Sequence, residues 1–205
     1  MSKQYSLALI SAVLMLGGAA CLKPAANRES DAARARVERG KYLVTIGGCN
    51  DCHTPLKMGP KGPEPDMARM LSGHPEAFAI TGGTAAPSAA WLMTMAASGT
   101  AFSGPWGVSF AANLTPDENT GLGIWTEEMF VKAVRTGRHM GVSRPILPPM
   151  PWPNVGAMND EDLKAVYTYL RSIQPIHNRV PEPLPPAAPA IAANHAGQGR
   201  AAAVQ

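Results

Sequence analysis

The chain has no run of Lys and Arg that could track a phosphate backbone, and its net charge is only +3. Nucleic acid is therefore excluded as an expected partner. Long apolar runs are missing near the start as well. LALISAVLML, at 7–16, covers about ten residues, short of the roughly 20 that a membrane-spanning helix needs. Aromatic residues make up 6% of the chain, and cysteines number three. No second cysteine pair with knuckle spacing is present, and His74, His139, His177 and His195 are scattered, which argues against zinc. No βαβ pattern flanks the one cysteine pair, which argues against a thioredoxin-like dithiol. No internal repeat is visible.

Proline and glycine are abundant, twenty of each in 205 residues. Much of the chain is expected to be loop, around one domain with a real core. Residues 1–20 read as an export signal: Lys3, the apolar core, then Gly17, Gly18, Ala19 and Ala20 before Cys21. Small residues before a cysteine resemble a bacterial lipoprotein processing site, which would place a lipidated Cys21 at a membrane surface. Ordinary signal cleavage fits the same flanks. From Pro181 to the last residue, 205, the composition is Ala, Pro and Gly, too poor in large apolar groups to offset ordering entropy. A disordered tail is expected there.

Cys49 and Cys52 stand two residues apart, with His53 immediately after, in CNDCH. A disulfide between them would close a small, strained loop. Covalent haem attachment explains all three residues: the thiols add across the two vinyl groups and the imidazole binds iron from one side. An export signal upstream agrees with that chemistry.

A sixth ligand would come from the methionines or histidines. Met1 and Met15 belong to the signal. Met67, Met70, Met93, Met95 and Met129 read as packing residues. Met58 is too close behind His53, and Met140 and Met158 are weaker candidates. Met150 lies in ILPPMPWPN among Pro148, Pro149, Pro151 and Pro153. Prolines hold such a loop stiff and extended, so a weakly binding thioether loses little entropy there. Trp152 is placed to lie against a haem edge or reach a propionate. His139 is the runner-up ligand.

Three helices are expected. The first runs from Asp31 to Ile46 with Ser30 as cap and Gly47–Gly48 as stop. The second covers Glu127 to Thr136, between Thr126 and Gly137. The third follows Asn159, with Leu163, Val166, Tyr167 and Leu170 at helical spacing and Pro175 beyond it. Gly40, inside the first, suits a close helix–helix crossing. Arg135 and Arg138 are candidates to face a haem propionate.

With this order of helix, CxxCH, long middle, helix, methionine loop and terminal helix, the chain resembles a class I c-type cytochrome over about Asp31 to Val180. NLTPDENTGLGIW and the MPW before the last helix resemble a bacterial branch of electron-transfer subunits. The resemblance implies an all-α, cytochrome c-like fold around one covalently bound haem. It implies Cys49 and Cys52 as attachment sites, His53 as the proximal iron ligand and Met150 as the distal one. Gly40 with Tyr42, and Tyr167 or Tyr169, match the family's helix crossing. The segment 54–112 exceeds a minimal cytochrome and is expected to be a loop-rich insertion lying over the haem, as a hairpin or short helices.

The function expected is one-electron transfer in the periplasm, without catalysis by this chain, to and from redox partner proteins on a dehydrogenase or terminal oxidase side. Two alternatives stay open: a cytochrome subunit of a membrane-associated dehydrogenase complex, and a haem-based sensor or peroxidase-like module. A single CxxCH disfavours a two-haem peroxidase.

Overall fold

The computed structural model describes residues 25–80 and 91–186. The expected signal, Cys21 and the tail beyond 186 lie outside these residues. The chain divides into two compact units, Met1–Ala35 and Arg36–Gln205. Helix α1 (Ala25–Ile46) begins upstream of the expected start. Ser30 is not its cap. It sits inside the helix, and its hydroxyl donates to the Asn27 carbonyl at 3.0 Å. The run AANRESDAARAR contains no breaker, and its alanines and long straight side chains favour helix on both sides of Ser30.

The remaining helices lie in the second unit. α2 is the five-residue turn Cys49–His53. α3 (Glu127–Thr136) has the predicted bounds, with the Thr126 side chain accepting from the Met129 N–H and Gly137 closing it at φ 64°. α4 is short (Trp152–Gly156). α5 (Asp160–Ser172) starts where Asn159 accepts from the Asp162 N–H at 2.7 Å.

Leu43 and Val44 of α1, Phe130 and Val134 of α3, and Leu163, Val166 and Leu170 of α5 form one buried cluster with Leu71 and Leu122. α1 crosses α5 at Gly40. A Cβ there would overlap the Ala165 carbonyl and the Tyr169 Cβ, so only glycine permits this approach. Tyr169 is thus the aromatic at the crossing. Tyr42 is exposed, with the Arg39 guanidinium over its ring at 5.6 Å. Arg39 also grips Asp162 through two bonds, of 2.8 and 3.1 Å.

The all-α expectation is overturned. Two antiparallel sheets occupy the 54–112 segment. β1 (Leu56–Gly59) pairs with β2 (Gly62–Pro65), Leu56 facing Pro65 and Gly59 facing Gly62. β3 (Thr94–Met95), β4 (Ala101–Gly104) and β5 (Gly107–Phe110) form the second sheet in that order. Both hairpins turn on two residues between glycines, GPKG and GPWG. Strands this short carry little periodicity, and glycine and proline at their ends read as loop. The reversal of the chain at each Gly-Pro pair is what produces strands instead.

Two buried asparagines tie the far segments together. Asn178 accepts from the Glu76 N–H and Arg69, and donates to the Ser72 and His74 carbonyls at 2.7 and 2.8 Å. Asn113 donates to the Ile176 carbonyl at 2.8 Å and accepts from Thr115. Leu184 returns to β5, exchanging two backbone bonds of 2.9 Å with Val108.

Candidate functional site

CNDCH folds as its own helical turn because Gly48 reverses the chain directly after α1. Gly48 takes φ 64°, a left-handed value that costs glycine little. The turn puts Cys49 and Cys52 at i and i+3, on one side of a helix. Both are free thiols, half-buried, with no disulfide between them. Burial pushes the Cys49 thiol up to about 11, and burial with nearby Asp51 raises Cys52 as well. Both therefore remain protonated at neutral pH.

His53 is 8% exposed. Its Nδ1 lies 2.8 Å from the Ala112 carbonyl oxygen, which can only accept. Nδ1 therefore carries the proton. Burial lowers the ring's pKa, so the imidazole is neutral and Nε2 keeps its lone pair. Among the described residues Nε2 makes no hydrogen bond. This is the tautomer of an imidazole that binds metal through Nε2.

Thr54, wholly buried, locks the next step of the chain. Its hydroxyl donates to Asn50 Oδ1 at 2.8 Å and accepts from the Leu71 N–H at 2.9 Å. The Gly73 N–H donates to the His53 carbonyl at 2.8 Å. The two free thiols and the oriented imidazole fit a covalently bound haem. They do not fit zinc: among the described residues no three His, Cys, Asp or Glu side chains gather as a metal cluster.

Met150 is half-buried, between Pro149 and Pro151. Its carbonyl accepts from the Trp152 N–H at 2.8 Å. The loop is supported on both sides. Ser109 of β5 donates to the Pro148 carbonyl at 2.5 Å, and the Trp152 indole lies on Gly137 at the end of α3. His53 and the Met150 loop thus share one support, the extended segment from Ser109 to Ala112.

Other expected residues are engaged elsewhere. Arg135 binds the Gly156 carbonyl and Asp160, and Arg138 binds the Ser143 carbonyl at 3.0 Å. Arg135 thus ties α3 to the end of α4 and the start of α5, and Arg138 holds the loop that follows α3. The His139 ring stands edge-on to Trp125, with centroids 5.1 Å apart. Met70 packs on the core as expected, and so does Met158, a weaker ligand candidate; Met67, Met93 and Met95 were expected to pack but are exposed, as is Met58. Sequence reasoning missed Ala112, Thr54 and Ser109. The first acts through its backbone, and small hydroxyl residues have no motif. No described helix is long and apolar enough to cross a membrane.

No family model matches the chain. Over 147 residues it is 29% identical to a subunit of nicotinate dehydrogenase from Pseudomonas putida, a match covering 72% of this chain and 9% of that protein. It is 29% identical over 153 residues to the gluconate 2-dehydrogenase cytochrome c subunit of Pantoea cypripedii, covering 74% and 26%. The cytochrome c subunit of alcohol dehydrogenase (quinone) from Gluconobacter oxydans is 27% identical over 161 residues, covering 77% and 26%. The likeness supports a c-type cytochrome. The matched chain spans about a quarter of the length of the two cytochrome subunits and less of the first protein.

Proposed function

We propose that this chain is a cytochrome module carrying single electrons, with one haem c attached through Cys49 and Cys52 and with His53 and Met150 as axial ligands. The observation that carries the reading is His53. It directly follows two free thiols, and its Nδ1 proton is held by the Ala112 carbonyl, so that Nε2 is directed to metal binding. When bound, the haem supplies an iron that gains and loses one electron without a substrate bond forming.

The chain's own residues set the rest. Cys49 and Cys52 would hold the haem covalently, so its binding would not depend on a large apolar pocket. The Ala112 carbonyl orients His53 and raises its basicity. The proline loop presents the Met150 thioether already shaped for binding, and a thioether favours the reduced state over a second imidazole. Relatives named as cytochrome c subunits of alcohol and gluconate dehydrogenases support a place beside a dehydrogenase as its electron acceptor. Export to the periplasm through the segment 1–20 belongs to the same proposal, with either a lipid-anchored Cys21 or ordinary signal cleavage before it.

Haem staining of the denatured chain tests the attachment. The wild type retains stain with one iron per chain, and Cys49→Ser with Cys52→Ser loses it. Stain persisting in the double variant would sink the assignment. Met150→Ala is expected to abolish the far-red absorption band of iron–methionine ligation and to lower the midpoint potential. An unchanged band would transfer the sixth position to another side chain, His139 first.

A further inference from the structure

Ser109 is 7% exposed and lies on β5, which faces the methionine loop. Its hydroxyl has one proton and two carbonyls in reach: Pro148 at 2.5 Å and Phe102 at 3.4 Å. The shorter bond takes the proton, so Ser109 donates to Pro148. The Trp106 indole N–H donates to the Ser109 oxygen at 3.3 Å, which fixes the hydroxyl's orientation. Pro148 precedes Met150 by two residues, and Pro149 and Pro151 flank the methionine without an N–H to donate. A proline-rich loop has few donors with which to anchor itself. Downstream, α3 receives Trp152 on Gly137. Upstream, the Pro148 carbonyl is held by Ser109.

We propose that Ser109 is a positioning residue for the sixth iron ligand: its bond to the Pro148 carbonyl holds Met150 where the thioether meets the iron. This rests on the assignment of Met150 as a ligand. Ser109 touches neither iron nor haem in this role. It acts through the loop, by reducing the freedom that Met150 loses on binding. Without the bond the loop still forms, but the thioether competes less well against an added ligand.

The test is imidazole binding to the ferric holoprotein, read as loss of the far-red band. Removing one neutral hydrogen bond is expected to tighten imidazole binding about five- to tenfold. Ser109→Val is expected to do this, and Ser109→Thr, nearly the same shape with the hydroxyl kept, is expected to bind imidazole as the wild type does. Ser103→Ala is the control on the neighbouring strand. Among the described residues the Ser103 hydroxyl is buried without a hydrogen-bond partner, so its loss is expected to leave imidazole affinity unchanged. Thermal melting is recorded alongside, because a purely structural role would lower melting while leaving imidazole affinity equal in Thr and Val variants. Equal affinities overturn the proposal. Met150→Ala, run in parallel, separates the two readings. If that variant keeps the far-red band, the ligand assignment fails. If it loses the band while Ser109→Val matches wild type, only the role of Ser109 fails.

Discussion

Asn178 uses its whole hydrogen-bonding capacity inside the protein. Its oxygen accepts from Arg69 and from the Glu76 N–H, and its amide donates to the Ser72 and His74 carbonyls. Asn178→Ala strands buried backbone groups on the 72–76 turn. Urea unfolding is expected to register a loss of about 2–4 kcal/mol. A loss under about 0.5 kcal/mol would mean that water replaces all four bonds. Legibility at this scale divides by chemistry. The CxxCH thiols and imidazole announce themselves because their spacing is set by the group they suit. The Ala112 carbonyl that orients His53 does not, because every residue has a carbonyl and only folding selects which one arrives. Ser30 illustrates the reverse. It is a strong capping residue that stays unused because helix formers continue on both sides.

Among the elements, the α1–α5 crossing was the most readable, since Gly40 in a helix interior asks for an explanation. Gly40→Ala would gain about 1 kcal/mol of helix propensity. The new Cβ meets α5 backbone at Ala165, which cannot rotate away. Overpacking of this kind costs about 1–3 kcal/mol or more, so a net loss of stability is expected in urea unfolding. A net gain would show that the helices separate easily. The same crossing has an acid limit. The hydrogen bond from Arg39 holds the Asp162 carboxyl below the usual carboxylate range. A depressed pKa gives stability that is present above the unfolded carboxylate's value, near ~3.9, and lost as pH falls through the folded value. Arg39→Gln is expected to lower the urea midpoint at pH 7, with the difference from wild type shrinking below about pH 4. A difference constant down to acid pH would assign the effect to packing. Helices α3 and α5 were legible because cap, apolar spacing and stop agree. The strands were not: β3 has two residues, and β4 and β5 have four each. Neither β4 nor β5 alternates in burial, so only the expectation of a hairpin or short helices in this segment was available, without strand positions.

At the scale of the whole molecule, the segment 54–112 supports both candidate ligand regions. It carries the Ala112 and Ser109 groups that hold His53 and the Met150 loop. Its outer strand is in turn held from the far end of the described chain by Leu184, bonded twice to Val108. Leu184→Pro removes one of the bridge's two donors, the Leu184 N–H that bonds to the Val108 carbonyl, and leaves the Val108 N–H bond without its pair. Amide exchange at Val108 is expected to quicken, and stability to fall by about 1 kcal/mol. Unchanged exchange and stability would mean that the remaining bond from the Val108 N–H holds β5 by itself. This dependence was hidden in the sequence, because LPP reads as tail and a single bridge between distant residues leaves no periodic trace.

The crossing at Gly40 also bears on how fast the protein is made. Arg39 and Asp162, which meet there, are 123 positions apart. Contacts between such distant positions close large loops before any burial rewards them, and they slow folding. The CNDCH turn is closed by a bond between neighbours, from the Thr54 N–H to the Asn50 carbonyl at 3.1 Å, so its loop-closure cost is small. The two cysteines thus depend on near neighbours for their arrangement, while the first helix finds its partner only after nearly the whole described chain is available.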